Sequence, residues 1–585
     1  MSIRANPTVF PFKRIQTSYM SIIFFCLAAM LFCAGAGADP LGLVDTAGST
    51  WCELQFGCQN SGPLIARDSS DGTVFIVWTY APYMFDFRRQ SFFNYLRPDS
   101  GWAYPDSGYE MFPSVYHHEH HSVLLTSDSS RLGKLEVVLD PFDAFTGTMR
   151  AWWAGDHFEC ARVDTALPPN DMGPIAALAR NGFVQLLSFE FPNGVLYYAN
   201  YNIGPYTFSG WQPVDTLTYC TYNVANSPTG GPVGIAYLRQ RDFSGDWNSK
   251  QPDQDVYLVV SPDGVQWNWQ ERHNITDFAE SDPFRASRDC DVAFDYSGNI
   301  HVAFSTIEAK INRSHPESTL TNPYMYFIWH WDQVSDSFTV AAEGWVPDPG
   351  EGFWFRGCRQ LVGWPQLAID SRSGYLYLLY ERNVPEDFSY YGYPNTDLWI
   401  TVSTDNGLNW SVGTNITDTQ TPNCHPGECA SEIQASLCEA VNDTLHLAYI
   451  LDTDAGFWQY HEAMQSEAKV IYQKLPVGLI PTTPLIGQFS IKEGPVRCHY
   501  RPGDINGNGE RNGVDISYAV SFFKGHGPSP TDTCHCLGTP TVFYGAGDVN
   551  GNCIFNGVDV TYFVNYLKGL NEGLSFCETC SPDPL

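Results

Sequence analysis

Basic residues are scarce in this chain: 32 Lys and Arg stand against 64 Asp and Glu, for a formal net charge of −32. That deficit argues against nucleic acid and anionic membrane surfaces as partners. Plain solubility accounts for most of the acidic surplus, and the remainder fits a calcium-rich exterior. Long apolar runs are also missing. After residue 38 no stretch is long and apolar enough to cross a membrane. From residue 39 to about 490 no long stretch carries the apolar stripe of an amphipathic helix. Linkers are lacking too, and tandem β-sandwiches of about 100 residues each would need them.

The first residues do contain an apolar run. A basic segment (Arg4, Lys13, Arg14) precedes Met20 to Phe32, and small residues end at Ala34-Gly35-Ala36-Gly37-Ala38. This reads as a secretory signal over 1–38, with A-x-A cleavage after Ala36 or Ala38. The expected location is secreted or extracellular, cell-surface attachment included. Two of the 17 cysteines lie in that segment, leaving 15. Six of these sit at or near the C-terminal end: Cys498, Cys534, Cys536, Cys553, Cys577 and Cys580. An oxidising compartment favours disulfides there over a zinc site built from Cys534-His535-Cys536 and Cys577-x-x-Cys580. The odd total implies at least one unpaired thiol.

The last part of the chain says one thing twice. G-D-I-N-G-N-G-E-R-N-G-V-D runs from Gly503 to Asp515, and G-D-V-N-G-N-C-I-F-N-G-V-D from Gly547 to Asp559. Oxygen side chains fall at loop positions 1, 3, 5, 9 and 12. They are Asp504, Asn506, Asn508, Asn512 and Asp515, then Asp548, Asn550, Asn552, Asn556 and Asp559. That spacing suits a twelve-residue calcium loop, because Ca²⁺ takes 6–8 oxygen ligands. A helix should follow each loop. Ile516, Ala519, Val520 and Phe523 form one apolar stripe, and Val560, Phe563, Val564 and Leu567 the other. Lys524-Gly525 and Lys568-Gly569 supply the C-terminal stops.

This duplication resembles a type I dockerin, a module of two calcium loop–helix units that binds a cohesin domain. The resemblance covers residues 501–585, with 491–500 as a linker. It implies two Ca²⁺ ions, the ten side-chain ligands named above, and the position-7 carbonyls of Glu510 and Ile554. It also implies that Gly513, Val514, Gly557 and Val558 face a cohesin-type partner. Two departures from the pattern stand out. Asn508 and Asn552 occupy a position where Asp is usual, and Cys553 stands where Gly normally permits a sharp turn.

Residues 39–490 are rich in aromatics, Gly and Pro, with short apolar runs separated by turns. A unit of strand, turn with Asp or Gly, and second strand recurs. Its clearest copies are 64–78, 292–304 and 367–380; weaker ones are 114–125, 175–187, 234–237 and 433–449. One hairpin cannot bury its own face, so the copies must pack on each other. This predicts a mainly β fold, a β-propeller of six to eight blades with seven preferred, followed by the small helical module.

S-T-D-N-G-L-N-W (403–410) follows the strand D-L-W-I-T-V, and S-P-D-G-V-Q-W (261–267) is a shortened copy. The first resembles the Asp-box of sialidase-like propellers, which implies a structural turn made by Ser403, Asp405, Gly407 and Trp410 and placed away from the catalytic face. The rest of a sialidase is not found. Arg67 stands in I-A-R-D where R-I-P would be expected, and Arg356 and Arg359 are cleft candidates only by residue type. His117, His118, His120 and His121 around Glu119 read as an exposed hairpin turn, with a metal site as the alternative. No catalytic residue is assigned. The expectation is an exported protein attached through its dockerin to a cohesin-type scaffold or cell surface. Its propeller would act on or bind extracellular glycan, with glycoside hydrolysis as the enzymatic version. A non-catalytic binding propeller and a structural surface protein are the alternatives.

Overall fold

The computed structural model describes residues 40–52, 63–83, 90–105, 108–111, 118–125, 135–141, 149–153, 158–162, 176–180, 183–190, 194–202, 207–241, 253–314, 320–345, 361–456, 466–485, 488–493, 500–530, 533–534, 542–570, 573–577 and 580. The expected signal, Arg356, Arg359 and His117 lie outside them.

The described chain is mainly β, and seven largely antiparallel sheets of four or five strands follow one another. Their first strands are Ile65–Arg67, His118–Leu125, Ala176–Arg180, Thr218–Asn226, Phe284–Phe294, Val362–Asp370 and Ser431–Leu437. In the first six sheets the first four strands add in chain order, as a meander; Tyr109–Glu110 pairs back onto Gln90–Arg97 in the first, and Ala440–Val441 joins the first strand of the sixth in parallel. The first strands pack on one another from the first sheet through to the seventh. The second strand of the seventh sheet, Thr444–Asp452, returns to Ile65–Arg67. The seventh sheet takes its outermost strand from Leu43–Thr50, which pairs antiparallel with Ala468–Pro476. Gln473 Nε2 also donates to Leu41 O at 2.7 Å.

Apolar clusters fill the spaces between successive sheets. Leu398, Ile400 and Val402 of the sixth meet Leu437, Leu445 and Leu447 of the seventh. Ile65, Ile76 and Trp78 of the first meet Ile450 and Val470 of the seventh. Each such side chain contributes about 1.5–3 kcal/mol by leaving water. The first strands are covered on both faces, so Ser431–Leu437 is buried throughout rather than alternating.

The recurring Asp closes the turn between first and second strands. Asp68, Asp295 and Asp370 accept the backbone N–H two residues on, from Ser70, Ser297 and Arg372 at 2.8, 2.8 and 2.9 Å. This is an Asx turn, and Gly72, Gly298 and Gly374 complete it at positive φ. Two sequence copies sit elsewhere. Residues 234–237 belong to the second strand of the fourth sheet, Val233–Gln240. His118–His121 lies within the strand His118–Leu125 rather than at a hairpin turn.

The chain from 488 to 493 still packs on the sheets. Phe489 and Ile491 join the cluster of Phe284, Phe327 and Trp329, and Lys492 Nζ lies 3.2 Å from Asp282. The expected linker thus opens with two docked residues. Beyond it, helices Gly513–Phe523 and Gly557–Leu567 pack together around Ile505, Ala519, Val549 and Phe563. Phe523 and Leu567, the last members of the two stripes, are exposed.

Candidate functional site

The two loops before those helices share a common set of turn and cap bonds. Asp504 accepts the N–H groups of Asn508 and Gly509 at 2.9 and 2.8 Å. Asp548 accepts those of Asn552 and Cys553 at 3.2 and 2.9 Å. Asn506 and Asn550 each close an Asx turn onto the residue two ahead, and Asn508 and Asn552 do the same. Asn512 and Asn556 cap the helices, with Asp515 and Asp559 bonding back to close a capping box. Each loop is therefore wound by its own side chains before any ion enters.

The donor set fits calcium. All four aspartates are buried, and none forms an ion pair with Lys or Arg among the described residues. Burial, and next among the raising effects the charge of Asp548, push the Asp559 carboxyl up to about 6. Paired buried carboxylates with oxygen-bearing neighbours are what a hard cation satisfies. Asp504, Asn506, Asn508, Asn512 and Asp515, with the Glu510 carbonyl, would hold one ion. Asp548, Asn550, Asn552, Asn556 and Asp559, with the Ile554 carbonyl, would hold the other. Cys553 takes the left-handed backbone of a position-6 glycine, φ 62° beside 83° for Gly509. Its disulfide to Cys577 anchors it, which removes Cys577 from any zinc site. Cys580 is also disulfide-bonded. Gly513 and Gly557 open the helices with free space around their Cα atoms. Val514 and Val558 are 59% and 61% exposed.

The ring of sheets has two dissimilar faces. One carries the Asp turns and the Asp-box. In the box, Asp405 Oδ1 accepts Asn409 N–H at 2.8 Å and the Ser403 hydroxyl at 2.9 Å, and Gly407 N–H donates to Ser403 Oγ at 2.8 Å. Trp410 is buried, and its indole N–H donates to Thr339 Oγ1 in the fifth sheet at 3.2 Å. Thr339 Oγ1 donates in turn to Gly407 O at 2.7 Å. The shortened copy does the same work one sheet pair earlier, where Tyr198 donates to Gly264 O. Both boxes lock a turn onto the preceding sheet. A cavity of about 120 Å³ opens on this face, lined by Tyr296 and Glu439 among others.

The other face carries irregular first strands. Pairing shifts register between Thr218 and Tyr222, Ala286 and Cys290, Gly363 and Gln366, and Ile433 and Ser436. Four consecutive sheets thus bulge at the same level, as strands do where side chains are re-aimed near sites. Trp364 and Gln434 in the bulges have positive φ. Side chains near the bulges tie one sheet to the next. Asp289 accepts Trp364 N–H at 2.8 Å, and Gln366 accepts Leu437 N–H at 2.6 Å. Half-buried Arg288 lies beside Asp289 in one of these bulges.

A cluster that sequence reasoning missed lies at the rim of the bulged face. Asp387 accepts Asn395 Nδ2 at 3.0 Å. The Thr419 hydroxyl lies 2.7 Å from Glu432 Oε1 and 3.4 Å from Asp397 Oδ1. All three acids and Asn395 are at most 2% exposed. Burial pushes the Asp387, Asp397 and Glu432 carboxyls above their usual range. Beside them the Ser389–Tyr393 turn projects two exposed rings, Tyr390 and Tyr391. His425 stacks on Tyr390 at 4.5 Å between centroids. Its loop is pinned by the Cys424–Cys429 disulfide and by Tyr390 N–H on Cys424 O. The signal was present as N-T-D opening an otherwise apolar strand, but Glu432 comes from the next sheet. Arg67 sits at the end of its strand, half-buried, and no carboxylate-binding arginine group forms around it among the described residues.

No family profile matches the chain, and no curated protein sequence matches it. Solved structures resemble it remotely. A PL25 polysaccharide lyase described as an ulvan lyase is 10% identical, over 74% of this chain and 94% of its own, with a TM-score of 0.42. A Bombyx mori GH32 β-fructofuranosidase is 8% identical over 79% and 96%, at 0.28. A Hadza microbial sialidase is 10% identical over 59% and 76%, at 0.26. Likenesses this distant assign no role to any residue here.

Proposed function

We propose that this is an exported two-part protein. Its paired calcium loops form a dockerin-type module that attaches it to a cohesin-type domain. Its seven sheets are the blades of a β-propeller whose bulged face meets an extracellular glycan. The attachment reading rests on one observation: two loop–helix units with the same Asx turns, the same caps and the same exposed Gly-Val pair. A cation-dependent, duplicated surface of this kind suits a protein partner. The glycan reading rests on Tyr390 and Tyr391, whose exposed rings suit the apolar faces of sugars. Binding is the better-supported role, because Asp387, Asp397 and Glu432, the acids described at this rim, are buried. Glycoside hydrolysis needs two carboxyls flanking a sugar.

Capture of the full-length protein on an immobilised cohesin-type domain, with calcium or with EDTA, tests the first part. Capture in both conditions or in neither counts against it. Affinity electrophoresis in acidic and neutral polysaccharide gels tests the second. Retardation by a gel that Tyr390→Ala and Tyr391→Ala relieve supports it, and an unretarded parent in every gel counts against it. Reducing-sugar release in the same panel would reveal hydrolysis.

A further inference from the structure

We propose that Asp397 and Glu432, with the amide oxygen of Asn395, hold a calcium ion between the sixth and seventh sheets. This site is separate from the C-terminal loops and does not depend on what the Tyr390–Tyr391 surface binds. Asp397 lies on the strand Pro394–Ser403 and Glu432 on Ser431–Leu437. Their carboxylates meet across the Thr419 hydroxyl, and Asn415 Nδ2 donates to the other Asp397 oxygen. A single hydroxyl proton cannot satisfy both. No Lys or Arg pairs with either acid among the described residues. Two buried carboxylates in that position need a shared proton or a cation.

Two further observations favour the cation. Glu432 Oε2 and Asn395 Oδ1 are buried with no hydrogen-bond donor. Both are oxygens, and both belong to residues no more than 1% exposed. A shared proton would serve one of these acceptors at most, whereas a metal ion takes several at once. Asn395 and Asp397 are alternate residues of one strand and so point to the same side. The Asn395 amide nitrogen is already committed to Asp387 Oδ1 at 3.0 Å and Thr421 Oγ1 at 3.2 Å, which fixes the remaining oxygen.

The ligand chemistry selects the ion. Carboxylate, amide carbonyl and hydroxyl oxygens suit a hard cation rather than zinc or copper. Mg²⁺ dehydrates reluctantly and demands octahedral geometry, while Ca²⁺ accepts irregular oxygen sets. The ion would tie three pieces together: the strand carrying Asn395 and Asp397, the neighbouring first strand, and the crossover 416–430. That crossover carries the Cys424–Cys429 disulfide and His425.

Calcium bound per chain, measured by elemental analysis after dialysis of full-length protein, tests the site. The C-terminal loops are present in parent and variant alike, so the difference isolates this ion. Glu432→Gln is expected to lose one calcium equivalent, and Asp397→Asn to match it. Equal counts in parent and both variants overturn the proposal in favour of a shared proton. If neither variant folds, limited proteolysis of the parent decides. Cleavage mapped to 416–430 should rise several-fold in EDTA and return to baseline with added calcium. Cleavage there that ignores calcium overturns the proposal.

Discussion

Gly407 of the Asp-box lies flat against the imidazole of His330, a buried residue of the neighbouring fifth sheet; a Cβ on Gly407 would overlap the ring. His330 bonds onward to His301 at 2.9 Å and stacks edge-on against Trp410. Burial, then His301, drives its pKa well down, so the ring is neutral and packs as a core group. The glycine is therefore required twice, for φ 87° and for contact. Gly374 has a similar φ of 73° and open space beside it. Gly374→Ala should cost about 1 kcal/mol from the dihedral alone. Gly407→Ala should cost about 1–3 kcal/mol more from overpacking. Urea denaturation of both variants measures the gap. Equal losses would mean that the His330 contact carries no weight.

The remainder of the box is structural as well. Asp405→Ala strands the Asn409 and Ser403 donors and should cost about 1–3 kcal/mol. Trp410→Ala removes a buried indole and should cost about 3–5 kcal/mol. Neither lies on the bulged face, so glycan retention per folded molecule should be unchanged. Thermal melts beside the retention assay check this. A variant that melts like the parent yet loses retention would reassign the faces.

Stability of the ring should fall as pH rises through neutrality. Asp291 is buried on Phe284–Phe294, and accepts Asn223 Nδ2 at 2.5 Å and Leu367 N–H at 2.6 Å. Burial chiefly, with Glu439 adding, pushes its carboxyl up to about 7 against the pull of those bonds. The folded state thus favours the protonated acid. Its stabilising contribution is complete below the ordinary carboxylate value and is lost as pH climbs through about 7. Glu343, also pushed up to about 7 by burial, adds in the same direction. Melting temperatures at pH 5, 7 and 8.5 should decline in the parent, with a shallower decline in Asp291→Asn. Matching slopes in the two proteins would remove Asp291 as the cause.

The duplicated module should present two usable surfaces. Val514→Asp or Val558→Asp alone should leave substantial capture by a cohesin-type domain, and the double variant should abolish it. Surface plasmon resonance at fixed calcium decides. Complete loss from either single change would show that one face alone is used.

What the sequence revealed and what it hid follow the range of the interactions. The turns and caps of 504–515 and 548–559 were legible because each loop's side chains bond within their own twelve residues. The Asp turns at Asp68, Asp295 and Asp370 were legible for the same reason. In the fourth sheet only the second strand, 234–237, was visible, because the first, Thr218–Asn226, is followed by a turn from Ser227 with no Asp. His118–His121 looked like a turn because polar residues crowd there, yet a strand takes them. Phe523 and Leu567 continue their stripes, but the helices touch near Ala519 and Phe563 and leave the stripe ends in water. The cluster of Asp387, Asn395, Asp397 and Glu432 depends on how two sheets abut, which no local pattern encodes.

The strand Leu43–Thr50 sets a schedule for folding. It leaves the ribosome early, but Thr50 pairs with Ala468 and Leu43 with Lys474. At ~5–20 residues per second the partner arrives on the order of tens of seconds later. Until then the arc of sheets has an unpaired edge at each end, the feature that invites intermolecular strand addition. Closure is therefore a late, long-range event, and a chain cut anywhere before 468 leaves that edge permanently open.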